Sequence, residues 1–249
     1  MKKAFSILAV FSALLLAYAT YQALVVAPTE RTMGDVQRIF YYHVPCAWTA
    51  GCLFCVNLLA SIAYLTWKSS KADALAVSAA ETGVVFCSVV LVTGPIWARP
   101  VWGIWWTWDM RLTTTLVLWL IYVSYLVLRK FSDSAQTPKL AAVLAIFGAL
   151  DVPLVYFSIW FFRTQHPQPV IGGGGSLDPR MLRVFLINLL AFSFLGAMIC
   201  WWRFRLEVFQ RELDEALALE ALLGPDGLPQ VSARSRSPLG KSPSATGPA

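Results

Sequence analysis

Charge is scarce in this chain, with 14% of its 249 residues acidic or basic and a mean hydropathy of +0.61. With 57% hydrophobic residues, the chain could not keep its apolar surface from water in a soluble fold, so a soluble globular protein is excluded. Histidine is rarer still, with His43 and His166 alone. There is no P-loop, no nucleophile elbow and no H-E-x-x-H run, so any ATP-driven step has to come from a partner. No internal repeat is present, and nothing points to a nucleic-acid partner. Five cysteines add little: Cys52 and Cys55 form a C-x-x-C inside an apolar stretch, where small residues are expected to pack rather than do redox or metal chemistry. Cys46, at the end of that stretch, is the one placed to react.

What is present is apolar length. Runs of about 20 residues, enough to cross a bilayer, occur at 4–26, 46–67, 75–97, 113–128, 140–162 and 181–202. The expected fold is therefore all-α, a polytopic membrane protein with six transmembrane helices. Lys2, Lys3, Lys68, Lys71, Arg129, Lys130, Lys139, Arg203, Arg205 and Arg211 fall on one side of that arrangement, which the positive-inside rule makes cytoplasmic. Both termini are then cytoplasmic, and loops 27–45, 98–112 and 163–180 face outward. Met1-Lys2-Lys3, the following apolar run and Ala17-Tyr18-Ala19 could mark a cleaved signal peptide. Apolarity that continues through Val26 favours a retained first span.

Residues 1–203 are read as the six-span membrane domain. Beyond it, Leu206, Phe209, Leu213 and Leu217 recur at helical spacing among acids, which predicts an amphipathic cytoplasmic helix over 204–223. Gly224-Pro225-Asp226-Gly227 ends it, and the Ser-, Pro- and Arg-rich remainder, 224–249, is expected to be disordered.

The densest chemistry lies at Trp102-Gly103-Ile104-Trp105-Trp106-Thr107-Trp108-Asp109. In a helix, Trp102, Trp105, Trp106 and Asp109 share one face and Trp108 points away. Tryptophan also collects at membrane interfaces with no ligand, but scattered belt residues would lack this spacing. His43 precedes the second apolar run and His166 follows the fifth, so the topology gathers both imidazoles and the Trp segment on one outer surface. Two imidazoles beside an aromatic plate suit a metalloporphyrin, whose iron takes axial nitrogen ligands and whose ring takes aromatic contact. Its carboxylates want cations, and Arg38, Arg99 and Arg111 lie near in sequence. Lipid headgroup phosphates would suit the same arginines. Asp109 has three uses open to it: orienting a ligand, holding a neighbouring arginine, or pairing with Arg111.

The pattern Trp102-Gly103-x-Trp105-Trp106-x-Trp108-Asp109-x-Arg111-Leu112-Thr113 resembles the tryptophan-rich signature of the haem-handling proteins of cytochrome c maturation. With six spans, flanking histidines and this length, the chain from about Arg38 to Trp202 is similar to the haem exporter protein C family. That resemblance implies an inner-membrane protein with an outward-facing site for transiently bound haem b. It implies His43 and His166 as axial ligands to the haem iron, and Trp102, Trp105, Trp106, Trp108 and Asp109 as the haem platform. Arg38, Arg99 and Arg111 are then the propionate contacts. The partners it implies are the A and B subunits of an ABC transporter complex, a small D subunit and the E component, a periplasmic haem chaperone, with membrane lipid around them. Phe161 and Phe162 stand where relatives tend to carry paired tryptophans, the loop after His166 carries Gly172 to Gly175, and the basic, Ser- and Pro-rich C-terminal tail is a departure from the pattern.

Two acids, Glu81 and Asp151, fall inside apolar runs with no intramembrane base to pair with them. Glu81 is expected to reach the inner interface. Asp151, beside Pro153, is open to a functional role or to satisfying a helix kink. Haem delivery is the favoured function, and the protein is not expected to be an enzyme. The alternative is a b-type haem electron-transfer subunit, which usually ligates haem from histidines inside its spans. A plain permease subunit would leave the Trp segment unexplained.

Overall fold

The computed structural model of the chain describes residues 2–132, 134–162, 164–169 and 177–223. Among these residues every long element is a helix, and extended pairing is limited to a single bridge between Glu30 and Gly34. The helices are α1 (Lys2–Tyr21), continued by a π-helical turn at Gln22–Val26, then a 3-10 turn at Asp35–Ile39 leading into α2 (Phe40–Trp67). They continue with α3 (Ser70–Trp102), α4 (Met110–Phe131), α5 (Thr137–Ala149), α6 (Asp151–Phe161) and α7 (Pro179–Leu223). Six helical stretches in the described residues are long and apolar enough to cross a membrane, α5 and α6 counting together as one. The six-span, all-helical expectation is met. The glycine run Gly172–Gly175 and the tail 224–249 lie outside the described residues.

Two boundaries differ from the reading of hydropathy. The helix of the second span begins at Phe40, not at 46, because the aromatic Phe40, Tyr41 and Tyr42 carry the helix outward and Pro45 sits near its start. Pro45, sixth in the helix, has no N–H to bond the Tyr41 carbonyl, and the helix continues through it nonetheless. His43 is therefore inside a helix rather than in a loop. The fifth span is broken at Leu150 into α5 and α6. Pro153 lacks the N–H that would bond the Ala149 carbonyl and its ring crowds that carbonyl, which ends the first segment one turn upstream.

In an apolar solvent, helices are held by close packing and by polar ties that have no water to compete. α2 and α3 are joined by a two-residue turn, with Lys68 in the left-handed conformation (φ 54°) and Ser69 capping α3 by accepting from Ala72 N–H at 3.4 Å. Asn57 donates to the Ala76 carbonyl at 2.7 Å across that pair. Trp119 of α4 donates to Ser88 Oγ of α3 at 2.8 Å. At the end opposite the Trp segment, Arg129 of α4 donates to both carboxylate oxygens of Asp73, at 2.8 and 2.5 Å. Glu81, expected to lack a base, is paired with Arg203 of α7 at 2.7 Å. The Asp151 Oδ2 atom is buried without a hydrogen-bond partner.

Aromatic rings fill the centre. Phe54 of α2 stacks on Tyr122 of α4 with centroids 3.9 Å apart, and Gly83 of α3 lies so close that an added Cβ would stand 2.6 Å from that Phe54 ring. A second cluster joins Phe40 and Tyr41 to Phe185 and Val184 of α7 and to Ala23 and Ala27 behind α1. Asn188 of α7 donates to the Ala19 carbonyl at 3.2 Å, and Phe5 stacks on Trp202 at 4.0 Å, which fastens α1 to α7. The residues through Val208 form one compact unit. A second begins at Phe209, and its described part, 209–223, is helical with Phe209, Leu213 and Leu217 exposed.

Candidate functional site

The Trp segment is a loop, not a helix. Gly103 takes φ +79° after Trp102, which a side-chain-bearing residue rarely adopts, and its N–H bonds the Arg99 carbonyl at 3.0 Å to close α3. Asp109 then starts α4: its Oδ1 accepts from Leu112 N–H at 3.0 Å as the N-cap. The residues between are bent or extended, so the single helical face drawn through Trp102, Trp105, Trp106 and Asp109 does not form.

A cavity of about 800 Å³ opens beneath this loop, bounded by α2, α3, α4, α6 and the segment carrying His166. Volumes of about 300–1,000 Å³ are usual for sites that enclose a small ligand. Trp102, Trp106, His43, His166 and Arg111 line it, and so do Trp48, Trp97 and Tyr156. Trp105 and Trp108 do not line it and are 59% and 76% exposed. Of the four tryptophans expected to form one plate, Trp102 and Trp106 line the cavity, joined there by Trp97 earlier on α3 and by Trp48 of α2.

The two imidazoles do meet. Their ring centroids are 6.5 Å apart and the planes are inclined by 32°. Two imidazoles sharing one metal through nitrogens at about 2 Å on either side stand with ring centres roughly 6 Å apart, so the pair has the separation of two axial ligands. His43 is 8% exposed and its Nδ1 lies 2.8 Å from Thr93 Oγ1. His166 Nδ1 lies 3.0 Å from the Pro167 carbonyl, which can only accept, so the Nδ1 carries the proton and Nε2 keeps its lone pair. Desolvation, and after it the nearby Arg111 cation, push the His166 imidazole down to about 4, which leaves it uncharged at neutral pH.

Asp109 does not pair with Arg111. Besides capping α4 it accepts from Thr164 Oγ1 at 2.9 Å through Oδ2, and Thr164 Oγ1 in turn accepts from the His166 backbone N–H at 3.1 Å. It is a clamp that ties the Trp loop to the His166 segment rather than part of a plate.

The three arginines separate. Arg38 is spent on Asp35 at 3.1 Å and on the Ala23 carbonyl at 2.8 Å, and Arg99 donates to the Gly103 carbonyl. Neither lines the cavity. Arg111 does, and its Nη1 is buried with no hydrogen-bond partner. The Trp106 Nε1 is a second buried donor on the same wall without a partner. Two unfilled donors, one of them cationic, fit an anionic group brought by a ligand.

Sequence reasoning missed Thr93, Trp97, Thr164 and Trp48. A signal for Trp97 was there: Val90, Gly94, Trp97, Val101 and Trp102 follow helical spacing down one side of α3, and all line the cavity.

Compared with known proteins, residues 1–219 match the profile of the Heme exporter protein C family. The chain belongs to that family. The match includes α1 and reaches far into α7, well beyond the stretch from Arg38 to Trp202 that the motif suggested. Heme exporter protein C of Bradyrhizobium diazoefficiens is 35% identical over 217 residues, covering 86% of this chain and 82% of that protein. That of Escherichia coli K12 is 33% identical over 181 residues, covering 72% and 73%. A mitochondrial protein of Marchantia polymorpha, named as ccmC-like and for cytochrome c biosynthesis, is 33% identical over 182 residues, covering 73% and 78%.

Proposed function

We propose that this chain binds haem b transiently in the cavity and delivers it for c-type cytochrome assembly. His43 and His166 are the axial ligands, Trp102 and Trp106 wall the ring, and Arg111 with the Trp106 N–H receives a propionate. The site faces the periplasm of an inner-membrane protein and hands haem to a periplasmic chaperone, the E component. The A and B subunits of an ABC transporter and a small D subunit complete the assembly and supply any ATP hydrolysis. The chain itself is a haem-handling protein rather than an enzyme.

The observation that carries this reading is the 6.5 Å imidazole pair at the wall of a large, mostly apolar cavity. A bare structural ion wants about four protein ligands, and among the described residues no group of three or more His, Cys, Asp and Glu side chains is placed to hold one. A porphyrin brings its own four equatorial nitrogens and needs only two axial partners. The electron-transfer alternative gains one point, since His43 lies inside a helix after all. Against it, His166 sits on a connecting segment outside the helices, whereas a b-type subunit usually ligates haem from histidines inside its spans.

Two experiments test separate parts. In a cysteine-free background, Thr32→Cys and Ile104→Cys are expected to react with an impermeant thiol reagent in intact cells and Ser70→Cys is not; the reverse pattern would invert the orientation. Trp102→Ala and Trp106→Ala are each expected to weaken haem retention by roughly tenfold, from about 0.5–1.5 kcal/mol of ring contact together with lost apolar burial. Trp105→Ala and Trp108→Ala should do little, and all four variants should accumulate in the membrane. Equal loss of protein across the four would mean that the rings anchor the bundle and hold no ligand.

A further inference from the structure

His43 is seated on α3 by three residues that lie within about one turn. Thr93 Oγ1 lies 2.8 Å from its Nδ1, Trp97 meets the ring edge-on at 5.8 Å, and a Cβ added at Gly94 would stand 3.4 Å from its Cε1. Of these, Thr93 alone makes a polar contact, and its chemistry decides which ring nitrogen is free. A hydroxyl has one proton. Thr93 Oγ1 stands 2.7 Å from the Val89 carbonyl and 3.4 Å from the Val90 carbonyl, and a carbonyl can only accept, so that proton is directed back along the helix. In the contact with His43 the hydroxyl oxygen must then be the acceptor and Nδ1–H the donor.

We propose that Thr93 is the positioning residue for His43, fixing its imidazole in the Nδ1–H tautomer so that Nε2 presents a lone pair to the iron of bound haem.

This rests on the reading of His43 as a ligand and adds the group that makes it one. In the other tautomer the proton sits on Nε2, the atom that has to coordinate. To accept that tautomer Thr93 would have to swing its proton from Val89 to Nδ1 and give up a bond within its own helix. The arrangement also strengthens the ligand, because a hydroxyl already donating to a carbonyl is a better acceptor, and an imidazole whose distal N–H is bonded is a more basic donor to metal. His166 reaches the same tautomer by another route, through the carbonyl of its own neighbour Pro167. The difference is one of attachment: His43 is fixed to a neighbouring long helix, whereas the bond of His166 is local to its segment.

The test uses the full chain in detergent with its own membrane partners. Thr93→Val keeps the side-chain shape and removes the acceptor. It is expected to weaken haem binding by about 10–100-fold, the usual effect of removing such an outer partner, and to change the reduction potential of the haem that remains. Thr93→Ser keeps the hydroxyl and should restore both. Thr66→Val removes a hydroxyl that donates to the Ile62 carbonyl in the same way but far from the cavity, and should change neither. If Thr93→Val binds haem with unchanged affinity and potential while His43→Ala does not bind, the positioning role is wrong and the ligand assignment stands. If His43→Ala itself leaves the haem spectrum unchanged, the ligand assignment fails first. A measurement on the unsubstituted, haem-free protein guards against a variant that does not fold: nitrogen-15 shifts of labelled histidine should show His43 protonated at Nδ1, and protonation at Nε2 would overturn the proposal.

Discussion

Haem that co-purifies with the protein is expected to fall more than about tenfold on His43→Ala or His166→Ala, since loss of an axial bond should exceed the 10–100-fold typical of disturbing only its outer partner. Transfer to the chaperone should fall further than binding. One remaining imidazole, helped by the aromatic wall, still holds some haem, but the geometry from which haem is released needs both. Exogenous imidazole can enter the vacated position and should restore bound haem in each single variant. It should restore transfer less well, because a free ligand is held neither by Thr93, as His43 is, nor by the segment that Asp109 and Thr164 tie down. The two variants are also expected to differ. His43 is bonded to a neighbouring long helix and buried, whereas His166 lies on a half-buried connecting segment, so His43→Ala should be the more damaging for binding. Haem content that is normal in both variants would remove the histidines from the account.

The second large effect is expected at Arg111. Its Nη1 is buried on the cavity wall without a partner, a state that costs free energy unless an anion arrives to use it. Arg111→Met should therefore weaken binding of haem by about 10–100-fold, the worth of a charge-assisted bond at a partly desolvated site. Arg111→Lys should recover part of this, since a point charge cannot offer the planar fork. Haem with both carboxylates esterified separates this role from packing: its affinity should be the same for the parent and for Arg111→Met. Arg38→Met and Arg99→Met should not reproduce the loss, because those guanidiniums are bonded to Asp35, Ala23 and Gly103. An esterified haem that still distinguishes Arg111→Met from the parent would mean that Arg111 shapes the cavity rather than meeting a carboxylate.

Some of this was legible before any coordinates. Six apolar runs and the gathering of His43, His166 and the Trp segment follow from counting and from the alternation of loops across a bilayer, and the imidazoles do stand together. The local form of the Trp segment was misjudged because side-chain spacing was read without its punctuation. Gly103 is a helix stop and Asp109 a helix start, and both signals stand in the sequence. Hydropathy placed the start of α2 too late because tyrosine and histidine score as polar while the helix continues through them. The pairing of Glu81 with Arg203 was out of reach for another reason. It joins residues 122 apart, and no local pattern says which helices are neighbours. The same holds for Asp73 with Arg129, and for the arrival of Trp48 of α2 beside the Trp loop.

Whether one iron sits between His43 and His166 is read from the absorption and electron paramagnetic resonance spectrum of the purified protein loaded with ferric haem, taken beside His43→Ala and His166→Ala. A six-coordinate, low-spin signature with two nitrogen axial ligands is expected in the parent, giving way to a five-coordinate, high-spin signature in each variant. A parent spectrum that is high-spin, or one that both substitutions leave unchanged, would contradict ligation by the two histidines.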